Sequence, residues 1–357
     1  MSTTLPPREV LAHLVDVHCH PTEELNISDE VMRALPIRLC SMSSNFDDQD
    51  KVEDLYNGYP DKVIPCFGFH PWFYHEISLV EPVPSKEDHY RSLFLQPGSA
   101  KEGELDRLVP LLREPVALSK VIQIVKEKLL KYPNAMVGEV GLDKSFRIAY
   151  NPYPAPPPRK LSPFSTPLSH QMVILEAQLR LAVELKRNVS LHSVGAQQPT
   201  VELLQRMSQN YGKDWLRISV DMHSCGLSAD VWKTKAHANI FLSLSTAINS
   251  RSDKHRQLIR ECDEHRLLAE SDYPEAGMCA SQTWSMVETI ADIRQWPVET
   301  EWDEKEPDPG NWGVVRRLER NWAQFCKGDH PEIVHKSRRL RKQHEHYPSD
   351  ESTEEDE

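Results

Sequence analysis

The sequence predicts an α/β chain folded as a (β/α)8 TIM barrel, and three observations carry that reading. Eight short apolar runs recur along the chain, most of them apolar on both faces, as parallel strands covered by helices must be. Helical periodicity fills many of the gaps between them. The alternation extends over about 320 residues, enough for a barrel of roughly 250 residues with insertions.

The expected strands, in chain order, are residues 11–18, 35–42, 63–69, 135–141, 188–192, 216–222, 240–244 and 266–271. Helical spacing is clearest at 119–131, 169–186, 200–210, 253–263, 283–295 and 312–326. Two stretches break the alternation. Residues 152–167 hold seven prolines, a density that sustains neither a helix nor an inner strand, so a proline-rich surface insertion is expected over about 144–167. Residues 82–100 form a second long, polar connection after the third strand. The barrel, residues 1–327, is expected to end near Lys327. A basic cluster (Lys336, Arg338, Arg339, Arg341, Lys342) and six acids within 350–357 follow, a pattern that predicts a disordered charged tail over 328–357. That tail reads as a solvated segment, a localisation signal or a docking segment.

Composition narrows the function. Against 42 Lys and Arg stand 54 Asp and Glu, a formal charge of −12, half of which sits in the last eight residues. An acidic chain does not hold long nucleic acid in a broad groove mainly by neutralising phosphates. The seven cysteines are scattered without a CxxC spacing, which argues against a disulfide framework and a zinc knuckle and predicts mostly buried thiols. No apolar run approaches the roughly 18 residues that a membrane span needs. The first ten residues lack the pattern of a secretory signal, so the expected location is cytoplasmic, nuclear or both.

The candidate chemistry lies where the strands end. Asp16-Val17-His18-Cys19-His20 closes the first strand, and strand alternation sends His18 and His20 to one side, a spacing at which two imidazoles can share a divalent metal. Alone, an HxH is more often a hydrogen-bonded structural pair. Glu139 ends the fourth strand among apolar neighbours, His192 the fifth, His223 the sixth and Asp272 the eighth. Four histidines and two carboxylates therefore converge on the carboxyl rim, the face where such barrels build active sites. Six N and O donors suit two divalent ions: Zn²⁺ by ligand type, or Mg²⁺ or Mn²⁺ where carboxylates and water dominate. His70 ends the third strand at the same rim. Trp72, Phe73 and Tyr74 follow it, and Trp72 is the candidate for stacking on a base or sugar.

These motifs, in this order, resemble the TatD-type metal-dependent deoxyribonucleases of the amidohydrolase superfamily. The matching stretches are Asp16 to His20, Gly68-Phe69-His70-Pro71, Gly138-Glu139-Val140-Gly141-Leu142-Asp143, Leu191-His192-Ser193, Asp221-Met222-His223-Ser224 and Glu270-Ser271-Asp272-Tyr273-Pro274, spanning roughly residues 11 to 327. The resemblance implies a barrel of the metallo-dependent hydrolase type that hydrolyses phosphodiester bonds in DNA, in an exonuclease-like manner. By analogy His18, His20 and Asp272 hold one ion, His192 and His223 the other, and Glu139 bridges them. Asp272 doubles as the base, and His70 lies near the substrate phosphate. Ser193-Val194 stands where the family often has an arginine after the serine, which leaves one phosphate contact without its usual residue. The insertion and tail resemble the longer fungal branch, in which association with an anaphase-promoting complex subunit has been described; a protein partner bound by the insertion or tail is therefore a further expectation. The charge balance favours short or single-stranded DNA ends. A hydrolase of another ester or amide bond on the same scaffold, and an interaction platform with a retained metal site, remain the competing readings.

Overall fold

A computed structural model describes residues 5–24, 26–96, 98–151, 158–235, 238–251, 253–305 and 307–332. Eight strands, β1 (Val15–Cys19), β2 (Arg38–Met42), β3 (Val63–Phe67), β6 (Met136–Asp143), β7 (Val189–Val194), β8 (Val220–Met222), β9 (Ile240–Leu244) and β10 (Leu267–Ala269), pair in that order, each parallel to the next. Two two-residue strands, β4 (Ile77–Ser78) and β5 (Val116–Ala117), pair outside this sheet. All eight expected strands are found; β1, β2 and β8 begin three or four residues later than expected, where the chain is still turning, β3 ends two residues earlier, and β9 has the expected bounds. Residues 11–14 finish the helix Arg8–Leu11 and its turn, and Trp215–Arg217 is a turn of 3-10 helix.

The seam between β10 and β1 is closed by a side chain. Ser271 N and Oγ donate to the two oxygens of Asp16 (2.9 and 2.5 Å), and the Asp272 amide donates to the His18 carbonyl (3.0 Å). Asp16 is fully buried; burial pushes its carboxyl up to about 7, against the Ser271 hydrogen bonds that favour the charged form.

The barrel interior is filled by Val17, Cys40, Met42, Ile64, Cys66, Met136, Phe241 and Leu268, and plugged at its amino end by Trp322 and Phe325 of the helix Val314–Lys327. That helix is fixed by Asn321, which donates to the Glu264 and Leu267 carbonyls (2.7 and 2.8 Å). A larger apolar layer lies between the strands and the surrounding helices. Six of the seven cysteines are buried free thiols, and Cys326 is exposed.

The two long connections are more structured than their polarity suggests. The stretch after β3 contains the helices Lys86–Phe94 and Glu102–Leu108, and the described part of the proline-rich insertion doubles back on itself, with Ala149 bridging Leu161 and the Ser162 amide donating to the Ile148 carbonyl (2.7 Å). Residues 152–157 lie outside the described residues, as do 333–357 of the tail. Tyr90, Leu105, Leu108, Val109 and Leu112 from one connection pack on Ile148 and Phe164 from the other, forming a separate small core above the carboxyl rim. The insertion thus buries an aromatic anchor as well as running over the surface.

Glu76 lies beside this cap. Burial pushes its carboxyl up to about 7, with the Arg113 charge opposing. The folded chain therefore holds that proton more tightly than the unfolded one, so stability should fall as pH rises from about 4.5 to about 7 and level off above. Glu76→Gln removes this dependence, and its urea midpoint is expected to gain on wild type across that window. A constant offset from pH 4.5 to 8 would contradict it.

Candidate metal centre

Two irregularities in strand register aim the donors. In β1 the pairing with β2 shifts between Asp16 and Cys19; Val17 faces the barrel interior, yet His18 does too, while Cys19 packs in the outer layer. In β6 the pairing with β7 shifts between Val137 and Val140; Met136 faces inward, Val137 and Val140 outward, and Glu139 inward again. A bulge reverses strand phase, so both motifs swing their polar side chains to the barrel axis. Gly141 then lets β6 approach β7, since any Cβ there would run into the His192 carbonyl.

All six proposed ligands meet at the rim. Glu139 is 2% exposed, and its two oxygens face different histidines. Oε2 lies 3.1 Å from His20 Nε2 and 3.5 Å from His18 Nε2; those nitrogens are 3.2 Å apart, and each is 3.8 Å from Asp272 Oδ1. Oε1 lies 2.8 Å from both His192 Nδ1 and His223 Nε2, which are 3.2 Å from each other. Tetrahedral coordination at bond lengths near 2.0–2.1 Å requires donors roughly 3.3 Å apart. The observed spacings, 2.8 to 3.8 Å, bracket that value in two donor sets that share one carboxylate.

The outer nitrogens face groups that orient them. His18 Nδ1 is 2.7 Å from Ser190 Oγ, His192 Nε2 is 3.4 Å from Asp143 Oδ2, and His223 Nδ1 is 3.6 Å from Glu270 Oε1. Of the three only the Ser190 contact is a hydrogen bond, of the kind that fixes a histidine tautomer, and the two carboxylates face their rings without one. Asp143 accepts from Trp72 Nε1 (2.7 Å) and from the Ser145 amide (2.7 Å), and with the facing His192 these outweigh burial to hold its carboxyl at about 2. Beneath His223, Ser243 Oγ sits between Asp221 Oδ2 (2.7 Å) and Glu270 Oε2. One hydroxyl proton cannot serve two carboxylates. Burial, with the Glu270 charge adding, pushes Asp221 up to about 8, whereas His223 outweighs burial and holds Glu270 down, so the proton resides on Asp221.

His70 is different in kind. Its Nδ1 accepts the Trp72 amide (3.1 Å), so Nε2 carries the hydrogen, and that atom lies 3.2 Å from Glu139 Oε1. Burial pulls its pKa down to about 4 despite Glu139. It is a neutral hydrogen-bond donor at the edge of the cage.

Electrostatics tests the fit of a metal. Burial raises the cost of the Glu139 charge, but His70, His223 and His18 outweigh it and hold the carboxyl well below the usual range. Glu139 in turn overcomes burial to push His20 up to about 10. A cage in which one buried carboxylate draws protons onto His20, His192 and His223 against burial is a cage suited to positive charge, and imidazole and carboxylate donors fit a divalent ion.

The cage opens into a cavity of about 410 Å³ lined by Trp72, Phe73, Ser44, Asn45 and Pro274, among others. Arg251 is the only Lys or Arg lining it among the described residues. Sequence reading missed Arg251, which lies beyond β9 with no motif around it. Asp143 and Glu270 stood inside recognised motifs, but their roles as orienting carboxylates depend on pairings between strands. Asp272 takes φ 51°, a left-handed conformation that Asp tolerates better than most residues.

A parallel eight-stranded barrel with this cage at its carboxyl rim defines a metal-dependent hydrolase acting on ester bonds. The chain belongs to the TatD related DNase family, whose model matches residues 15–303. It is 30% identical over 321 residues to "Cut9-interacting protein scn1" of Schizosaccharomyces pombe, covering 80% of this chain and 94% of that one. It is 29% identical over 273 residues to "Uncharacterized deoxyribonuclease YMR262W" of Saccharomyces cerevisiae, covering 73% and 83%. The crystal structure of YJJV, a TatD homologue from Escherichia coli K12, shares the fold with a TM-score of 0.57 at 16% identity, covering 90% of this chain and 100% of that one. No helix among the described residues is long and apolar enough to cross a membrane.

Because a ligand that binds only the folded state stabilises it, Zn²⁺ at a hundredfold excess over its Kd should add about 2.7 kcal/mol to metal-stripped protein. Thermal melts of wild type and of the His18→Ala, His20→Ala variant are expected to differ in this response. Equal gains in both would remove these histidines from the cage.

Proposed function

We propose that this chain is a deoxyribonuclease that hydrolyses phosphodiester bonds at short or single-stranded DNA ends, with two divalent ions held by His18, His20, Glu139 and Asp272 on one side and by His192, His223 and Glu139 on the other. The observation that carries this reading is the division of the Glu139 carboxylate between two donor sets. The family match and the yeast deoxyribonuclease relative support DNA as the substrate.

When bound, two divalent ions supply charge stabilisation for the phosphate oxygens and for the attacking water. Asp272, 15% exposed at its side chain and facing the cavity, takes the proton of that water. The His70 Nε2–H is placed to donate to a phosphate oxygen, and Trp72 offers an aromatic face. Among the described residues, Arg251 is the one Lys or Arg at this cavity for a phosphate, in place of the arginine missing after Ser193. Its position in an otherwise acidic cavity suits a strand end more than a long duplex. Binding to a protein partner is a second role, supported by the fission-yeast relative's being a Cut9-interacting protein.

Metal-stripped protein incubated with end-labelled single-stranded DNA and Zn²⁺, Mn²⁺ or Mg²⁺ should cleave it, giving a ladder that starts at one end. Asp272→Asn keeps a side chain suited to the left-handed backbone and should lose roughly 100-fold or more in kcat. Wild-type turnover in that variant would sink the assignment of the base. Arg251→Ala should raise KM for DNA about tenfold, the order expected for loss of a charge-assisted contact of about 1.4 kcal/mol.

A further inference from the structure

The cavity at the metal cage is only half of the cleft. A second cavity of about 340 Å³ adjoins it, and Glu23, Asn45, Trp72 and Phe73 line both. Its far side is made by the two insertions: Leu112 from the connection after β3, and Ile148 and Ala149 from the one after β6. Trp72 stacks on Phe146 in the dividing wall, with ring centroids 4.9 Å apart and planes 15° from parallel. The compartment therefore has an aromatic and apolar side, while Glu23, Asp47, Asp48, Lys51, Arg113 and Arg159 line the rest of it.

One polar group in it stands out. The Glu76 side chain is 12% exposed, and its carboxylate accepts no hydrogen bond among the described residues, His75 Nε2 lying 3.9 Å away. A largely buried carboxylate without donors is costly, and a ligand that brings an N–H donor recovers that cost. An aromatic wall beside one carboxylate without a donor matches a nucleobase carrying an exocyclic amine, as adenine, cytosine and guanine do, whereas thymine offers only its ring N–H.

We propose that this second compartment holds the base of the nucleotide flanking the scissile phosphate, stacked beside Trp72 and Phe73 and read by Glu76. The inference rests on the nuclease reading and adds to it a determinant of base preference. Because the compartment is built by the insertions, the preference belongs to this chain's cap and not to the barrel.

The test uses end-labelled oligodeoxynucleotides in which one nucleotide beside a chosen phosphate is adenosine, thymidine or an abasic tetrahydrofuran residue. Full-length wild-type protein is expected to cleave beside adenine at least tenfold faster than beside the abasic residue, with thymine between them. Ala149→Trp, which fills the compartment, should bring the adenine-to-abasic ratio to about one, and Glu76→Leu, which removes the acceptor, should level adenine with thymine. A wild-type ratio within twofold of one overturns the proposal, whatever the variants do. If no phosphodiester is cleaved, the nuclease reading fails separately. The compartment is then read by binding of deoxyadenosine monophosphate to metal-stripped protein: binding weakened tenfold by Ala149→Trp supports it, and equal binding overturns it.

Discussion

The site depends on one buried carboxylate. Glu139 sits at 2% exposure at the centre of the barrel mouth, and an isolated charge there would be expensive enough to neutralise itself. It stays ionised because five imidazoles surround it, and it can satisfy them only by dividing its two oxygens. That division creates two donor sets a carboxylate's width apart. Removing it would leave a crowd of histidines with no common anion, so the positions of the other donors follow from it.

Such an arrangement requires accurate aim, and the fold supplies it from behind. Three rings of the donor set are each backed by a group on a different strand or loop: Ser190 behind His18, Asp143 behind His192, Glu270 behind His223. Glu270 is itself held by Ser224 and Ser243, and Asp143 by the amides of Ser145 and Phe146. The seam between the first and last strands is closed by Asp16 and Ser271, next to His18 and Asp272. The hydrogen bonds that close the barrel thus lie one residue from two of the donors, which couples the integrity of the fold to the geometry of the site.

The barrel was legible because buried parallel strands leave short apolar runs that survive without partners in view. The donors were legible because they share the carboxyl ends of those runs. Which way they point was not. Plain alternation from Val17, an interior residue, would turn His18 outward, and from Met136 it would turn Glu139 outward. Both are brought inward by a register shift against the neighbouring strand, which no local pattern announces. Arg251 was hidden for a related reason: its approach to the cavity depends on how the segment after β9 folds back. The cap was misjudged because Phe164 is a single aromatic in polar, proline-rich surroundings, and a core assembled from two distant segments leaves no periodic trace in either.

The position of that cap follows from strand order. β3 and β6 are separated by 68 residues in sequence between Phe67 and Met136 yet pair directly in the sheet. The connections leaving their carboxyl ends therefore rise side by side, and each can bury the apolar residues of the other without disturbing a barrel strand. Insertions placed after strands on opposite sides of the barrel could not do this without crossing the mouth and closing it. Here they build a wall beside the cage, against Trp72 and Phe146, and extend the cleft in one direction. The family's chemistry can stay with the barrel while the dimensions of the substrate site are set by two loops that happen to be neighbours in space.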